Sequence, residues 1–344
     1  MNWTQRMRKT DIIWNKLQDD ESRFIFEQKI NFIMEPDEVD LWNHIKRNQV
    51  WVCPNKEKEF IIFGAGRCGS YTADILATTG KQVIAFCDNY KDGTVQGKPV
   101  FSVDTAVKMK KPVVIPNCGY ASEAQKQLKE YGFPDDMILF EPDIRSYTGI
   151  QYFDVWSPKE NEILVDCGAY NGDTIDAFLK WTNYSYEKIY AFEPDDMNYR
   201  ALEAGIEDKK IQSCEIINKG TWDKNTNLKF QLYDYDTGHH IVENQNSACG
   251  EERIVTVPVT SIDEILEGKE ATFIKMDVEG SELNSLKGAR KTIVRYKPRL
   301  AIAVYHKRED LFDIPLYILS LNSGYQFKLR HYSSGLCETV LYAE

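Results

Sequence analysis

At 344 residues with 42% hydrophobic positions, the chain exceeds what one core usually organises and has apolar material for two. Its formal charge of −11 gives no general attraction for phosphate backbones, which excludes nucleic acid as the expected primary partner. The 8 cysteines are scattered with no C-x-x-C pair, which argues against structural zinc and for reduced thiols used in packing. No stretch approaches the roughly 20 apolar residues of a membrane span, and the N-terminus lacks a signal-peptide core. A cytoplasmic protein with no membrane span is expected.

Residues 1–58 read as a helical segment, with Phe26, Ile30 and Ile33 at i, i+4, i+7, then Trp42 and Ile45, punctuated by Pro36 and Pro54. Its expected role is to cap a neighbouring domain or to pair with a second copy as a homo-oligomer. From residue 59 to 145 strands and helices alternate (FIIFGAG, SYTADILATTG, QVIAFCDN, PVVIPNCG, SEAQKQLKEYG, MILF), the grammar of a parallel sheet in a Rossmann-like nucleotide-binding domain. Gly64, Gly66 and Gly69 form a G-x-G-x-x-G between strand and helix, and Asp88 ends the next strand. That pattern suits a nucleotide sugar or NAD, though such domains also persist as architecture alone. Residues 146–159 carry turn residues without a sustained period and read as a linker.

The second domain, 160–344, opens with ILVDCGAYNGDT, an apolar strand turning at Gly168 into an amphipathic helix. IYAFEPDD follows as a strand ending in Glu193. The stretch His239–Glu252 has no period and reads as a loop or lid, with His239 and His240 as weak site candidates. The basic run Ala289–Arg299 reads as a solvated helix end, and YQFKLRHY and ETVLYA as a closing antiparallel hairpin.

Open α/β sheets bind ligands at the carboxyl ends of their strands, so the residues after each apolar run are the site candidates. Here these are Asp166, Glu193, Asn218–Trp222, Asp277 and His306. Gly168 and Gly172 let a ligand approach the backbone, and the amides opening the next helix can hold a carboxylate. Asp166 suits an amine and Glu193 a ribose. A carboxylate site, an amine partner and a ribose acceptor together fit S-adenosylmethionine better than a dinucleotide.

VDCGAYNGDT, AFEPDDMNY, FIKMDVEGSELNSLKGA, RLAIAVYH and FKLRHYSSGLCETVLYA together resemble the FkbM family of S-adenosylmethionine-dependent methyltransferases, over roughly residues 160–344. Together with the alternation in 59–145 this gives an α/β fold of two Rossmann-like domains, the C-terminal one, by the resemblance, a class I methyltransferase sheet closed by an antiparallel hairpin. Carried over by position, it implicates Asp166, Gly168, Ala169, Tyr170, Asn171, Gly172, Thr174, Glu193 and Pro194 in holding the cofactor. Thr221 and Trp222 would flank the adenine, with ordinary core packing as the alternative for the tryptophan. The implied activity is O-methylation of a saccharide or sugar-nucleotide hydroxyl in surface-polysaccharide biosynthesis.

A hydroxyl acceptor must lose its proton, and Asp277 and His306 are the base candidates. Glu279 joins Asp277 in DVEGSE, a cluster able to bind the acceptor, shift one pKa or hold Mg2+. Glu282 alternatively only favours a helix start. An NAD-dependent oxidoreductase using the first domain, or a non-catalytic nucleotide-sensing assembly module, are the competing readings. No candidate catalytic Tyr-x-x-x-Lys lies in the first domain.

Overall fold

Two helices, α1 (Trp3–Trp14) and α2 (Asp20–Met34), open the chain and bury Ile13, Ile25 and Phe26. The computed structural model describes residues 3–34, 50–51, 53, 55–116, 120–140, 145–146, 151–232, 240–241, 253–332 and 337–344. Pro36, Trp42, Ile45, Pro54 and most of the loop His239–Glu252, His239 included, lie outside the described residues. The chain divides into two compact units, one of residues 1–39 with 149–344 and one of 40–148.

In the 40–148 unit, β1 (Val50–Trp51) pairs with β8 (Arg145–Ser146). Between them run β2 (Glu59–Phe63), α3 (Arg67–Thr78), β3 (Gln82–Cys87), β4 (Thr94–Val95), β5 (Lys98–Phe101), β6 (Val113–Ile115), α4 (Ala121–Glu130) and β7 (Ile138–Phe140). The sheet order is β4-β5-β3-β2-β6-β7, parallel except for β4 against β5. The strands are short and apolar with buried centres, as strands covered on both faces require.

The second unit is built on β9 (Ile163–Cys167), α5 (Asp173–Trp181), β10 (Lys188–Phe192), α6 (Asp196–Asp208) and β11 (Cys214–Ile217). A side sheet follows: β12 (Gly220–Thr221), β13 (Thr226–Leu232), β14 (His240–Ile241) and β15 (Arg253–Thr260). The main sheet resumes with β16 (Phe273–Met276), α7 (Glu282–Gly288), α8 (Arg290–Tyr296), β17 (Arg299–Ala303), α9 (Asp310–Leu321), β18 (Phe327–His331) and β19 (Thr339–Ala343). Its order is β11-β10-β9-β16-β17-β19-β18, with the first five parallel and β19 antiparallel to both neighbours. The chain leaves β9 toward β10 on one side and reaches β16 on the other. At such a reversal open α/β sheets place their ligand crevice, which here means the carboxyl ends of β9 and β16.

Three segments behave differently from their sequence-based expectation. Residues 151–156 lie in the core instead of linking domains: Tyr152 and Phe153 are buried, and Phe153 stacks with Phe178, Trp181 and Phe273. Arg299, in the basic run expected to be solvated, is 2% exposed and pairs with the buried Glu162 inside a box of Trp156, Trp181 and Phe273. Desolvating a guanidinium is tolerable only with such a partner and such faces.

The N-terminal helices, expected within a separate 1–58 segment, belong to the C-terminal unit and cover the edge strand β18. Gln18 N donates to Phe327 O (3.0 Å) and Phe327 N to Lys16 O (2.9 Å), satisfying groups that an edge would leave open. Asp19 caps α2 through Ser22 N (2.8 Å) and pairs with Arg330 (Nη2 to Oδ2, 2.8 Å), while Leu329 N donates to Ser22 Oγ (2.9 Å). Partial burial pushes the Asp19 carboxyl up, but the bonds from Arg330 and Ser22 outweigh it and bring it down to about 2. A depressed acid contributes stability that is whole above its ordinary 3.8 and vanishes as pH falls through about 2. Thermal melts from pH 5 to 2 should therefore show the gap between wild type and Asp19→Asn closing as pH falls through that window. A gap that stays constant would show that the pair does not anchor the helices.

Candidate active site

The turn after β9 is built against the end of β16. Gly168 has φ +82°, and a Cβ there would sit 2.0 Å from the carbonyl oxygen of Asp277, so only glycine fits. Gly168 N and Ala169 N donate to Phe192 O (3.0 and 2.9 Å), and Asp277 N to Cys167 O (3.1 Å). Three strand ends are thus locked together. Glu193, at the end of β10, accepts from Tyr170 N (2.8 Å, Oε2) and from Asp195 N (2.9 Å, Oε1). Burial raises its pKa against the bonds from Asp195, Tyr170 and the Asn198 side chain, and the carboxylate keeps capacity for a further donor. Tyr170 is exposed at the mouth of the turn. Asn171 Oδ1 accepts from Asp173 N (3.2 Å), and Gly172 caps α5 at φ +92°. Thr174 is buried in its first turn.

Asp166 does not face an open pocket. It is fully buried, 3.1 Å from the ammonium of Lys275 on β16, which also donates to Gly168 O (2.7 Å). Burial lifts the Asp166 carboxyl to about 6 in spite of that ammonium. Burial alone would lower Lys275, but the carboxylates of Asp166 and Asp277 outweigh it and keep the amine above its ordinary value. The amine expected for Asp166 is therefore supplied by this chain's own Lys275. A lysine interrupting the apolar run FIKM was the signal for it.

Beyond β16 and β17 lies an acidic cluster. Asp277 accepts hydrogen bonds from Tyr152 Oη (2.7 Å) and Tyr305 Oη (3.2 Å). His306 places Nε2 3.4 Å from both Asp277 Oδ1 and Glu279 Oε2, and Nδ1 2.8 Å from Glu282 Oε1. The Glu282 oxygen also accepts from Val278 N (3.0 Å) and Gly280 N (3.3 Å), so this glutamate organises the loop as well as starting α7. Burial opposes charge on His306, but Glu282, Asp277 and Glu279 raise it to about 9. A histidine that keeps its proton at neutral pH is a poor base. Glu279 is lifted by burial, against the pull of His306, to about 7, where a carboxylate can exchange a proton.

Thr221 is buried and shares a hydrogen bond with Ser285 Oγ (2.6 Å), while Trp222 packs on Val257 and Val259. Both serve the junction of side sheet and α7. Pro194 lies against Gly220. In the other unit, a Cβ on Gly69 would meet Gly64 O at 1.9 Å, and Gly66 caps α3. Asp88 gives Oδ2 to Ala65 N (2.8 Å) and Oδ1 to Tyr90 N (2.8 Å) and Lys91 N (3.0 Å). Burial is overcome by these amides, which hold its pKa down. The carboxylate braces the turn. Sequence reading missed Tyr152, because 146–159 showed no period, and Tyr305, because tyrosine before a strand-end histidine has no signature.

Residues 166–327 match the family model of the methyltransferase FkbM domain. A methyltransferase FkbM from Methylobacillus flagellatus KT, known from a crystal structure, has the same fold, with a TM-score of 0.51 at 21% identity over 94% of this chain and 98% of that one. An rRNA methylase from Streptococcus thermophilus aligns over 54% of this chain and 87% of its own, at 17% identity and TM-score 0.35. Fibrillarin from Aeropyrum pernix, in complex with natively bound S-adenosyl-L-methionine, aligns over 55% and 69%, at 13% identity and TM-score 0.35. A search of curated proteins gives no match. No described helix is long and apolar enough to cross a membrane.

Removing one partner of a buried ion pair leaves an uncompensated charge, so Lys275→Met should cost about 3–5 kcal/mol in denaturant unfolding at pH 7. Adding Asp166→Asn should recover much of that loss. Equal losses for the single and double variants would show that the pair is not coupled.

Proposed function

We propose that this chain, which carries an FkbM methyltransferase domain over residues 166–327, transfers a methyl group from S-adenosylmethionine to a hydroxyl of a saccharide or sugar-nucleotide acceptor in the cytoplasm, during surface-polysaccharide assembly. One observation carries the reading: the glycine turn and the acid and histidine cluster meet at the carboxyl ends of β9 and β16, with Gly168 against the Asp277 carbonyl. A donor site and an acceptor site must lie that close for a direct transfer.

The turn fits the cofactor. Glu193, beside the glycine turn, retains acceptor capacity for a ribose hydroxyl. The sulfonium supplies an electrophilic methyl, so the chain's own residues have to align an oxygen and take its proton. Asp277, held by two tyrosine hydroxyls, is placed to orient the acceptor hydroxyl. Glu279, whose carboxylate is partly exposed, is the proton acceptor.

In the other unit, Gly64, Gly66, Gly69 and Asp88 provide the candidate site for a nucleotide sugar or NAD. The engagement of Asp88 with three backbone amides favours a bracing role and weakens the oxidoreductase alternative.

Calorimetric titration with S-adenosylmethionine should show binding that Glu193→Ala weakens roughly 10-fold or more, as expected for lost hydrogen bonds to a charged group. Asp277→Asn should leave that affinity in place and lower turnover about 10²-fold or more. Turnover should rise as pH passes about 7, the Glu279 value, and Glu279→Gln should flatten the rise. Wild-type protein that binds NAD but neither S-adenosylmethionine nor its product would overturn the reading.

A further inference from the structure

The acid cluster holds more negative charge than its cations balance. Asp277, Glu279, Glu282 and Asp310 surround one imidazole, with Lys307 acting on Asp310 and Lys275 shared between Asp277 and Asp166, so acids still outnumber cations, and Glu282 and Asp310 are 0% and 4% exposed. Tyrosine hydroxyls on Asp277 donate hydrogen bonds and remove no charge. Buried carboxylates in such surplus need protons or a metal.

The donor set favours a metal. One oxygen each of Asp277 and Glu282 and one ring nitrogen of His306 lie within 4.8 Å of one another. Two further facts are independent of that cluster's acidity. The His306 side chain is 5% exposed, yet neither ring nitrogen has an aligned hydrogen bond, although Glu282 Oε1 is 2.8 Å away. Glu282 Oε2 is buried with no hydrogen-bond partner at all. These are unspent donor atoms in a site whose loop amides at Val278 and Gly280 already have their partner in Glu282 Oε1.

We propose that Asp277, Glu282 and His306 bind a divalent transition-metal cation. The inference rests on the methyl-transfer reading for its purpose, which is to hold the acceptor oxygen beside the glycine turn. Two carboxylates and one imidazole are the mixed oxygen and nitrogen set that suits Mn2+ or Zn2+, whereas Mg2+ prefers oxygen and water alone. Glu279, on the exposed side of Nε2, stays outside the set and keeps its role toward the acceptor proton.

The test uses the full chain, stripped with chelator and titrated with Mn2+ under electron paramagnetic resonance, with S-adenosylhomocysteine binding measured on the same samples. One Mn2+ per chain is expected, with an upward shift of Tm on metal addition. Asp277→Asn, Glu282→Gln and His306→Gln should each weaken Mn2+ at least about 10-fold while S-adenosylhomocysteine still binds. Should the variants fail to fold, the wild-type stoichiometry and Tm shift decide. Wild type that binds neither Mn2+ nor Zn2+ at millimolar concentration would overturn the cation site, even if S-adenosylhomocysteine binds. Metal binding without S-adenosylhomocysteine binding would instead count against the methyl-transfer reading and leave the cation site standing.

Discussion

Gly168 lies so close to the Asp277 carbonyl that no other residue fits, and that approach ties the two halves of the site together. It fixes the turn that follows β9 against the end of β16, where the acid cluster begins. Lys275 reinforces the junction from beneath: its ammonium, paired with Asp166, donates to Gly168 O. A buried pair of this kind gives little net stability. It does set the turn's position, because removing either charge leaves the other uncompensated.

The placement of the candidate residues was legible because strand ends and glycines have fixed uses. Asp166, Gly168, Glu193, Asp277 and His306 all follow apolar runs, and the sheet brings those ends together. What composition could not show was direction. Asp166 turns inward to a lysine on the neighbouring strand, a contact across more than a hundred residues that no local pattern encodes. Trp222 and Thr221 follow a strand end too, and their contacts are with β15 and α7, pairings that local pattern does not encode either.

Irregular segments were the least readable. Residues 151–156 look like a linker because they show no sustained period, yet Trp156 forms part of the aromatic box around Arg299, Phe153 packs on its other members Trp181 and Phe273, and Tyr152 reaches Asp277. The N-terminal helices showed their own period and read as a cap or an oligomer contact, but nothing local told which strand they cover. Their partner is the open edge of β18, closed through Asp19, Ser22 and Arg330. The same demand to satisfy an exposed sheet edge explains why a terminal hairpin here carries a helical cover.

A crystal structure of the complex with S-adenosylhomocysteine tests the central claim most directly. The expected result is a ribose hydroxyl on Glu193, the amino-acid half against the glycine turn after β9, and the sulfur directed toward Asp277. A ligand seated at the Gly64 to Gly69 turn instead, with the crevice between β9 and β16 empty, would contradict it.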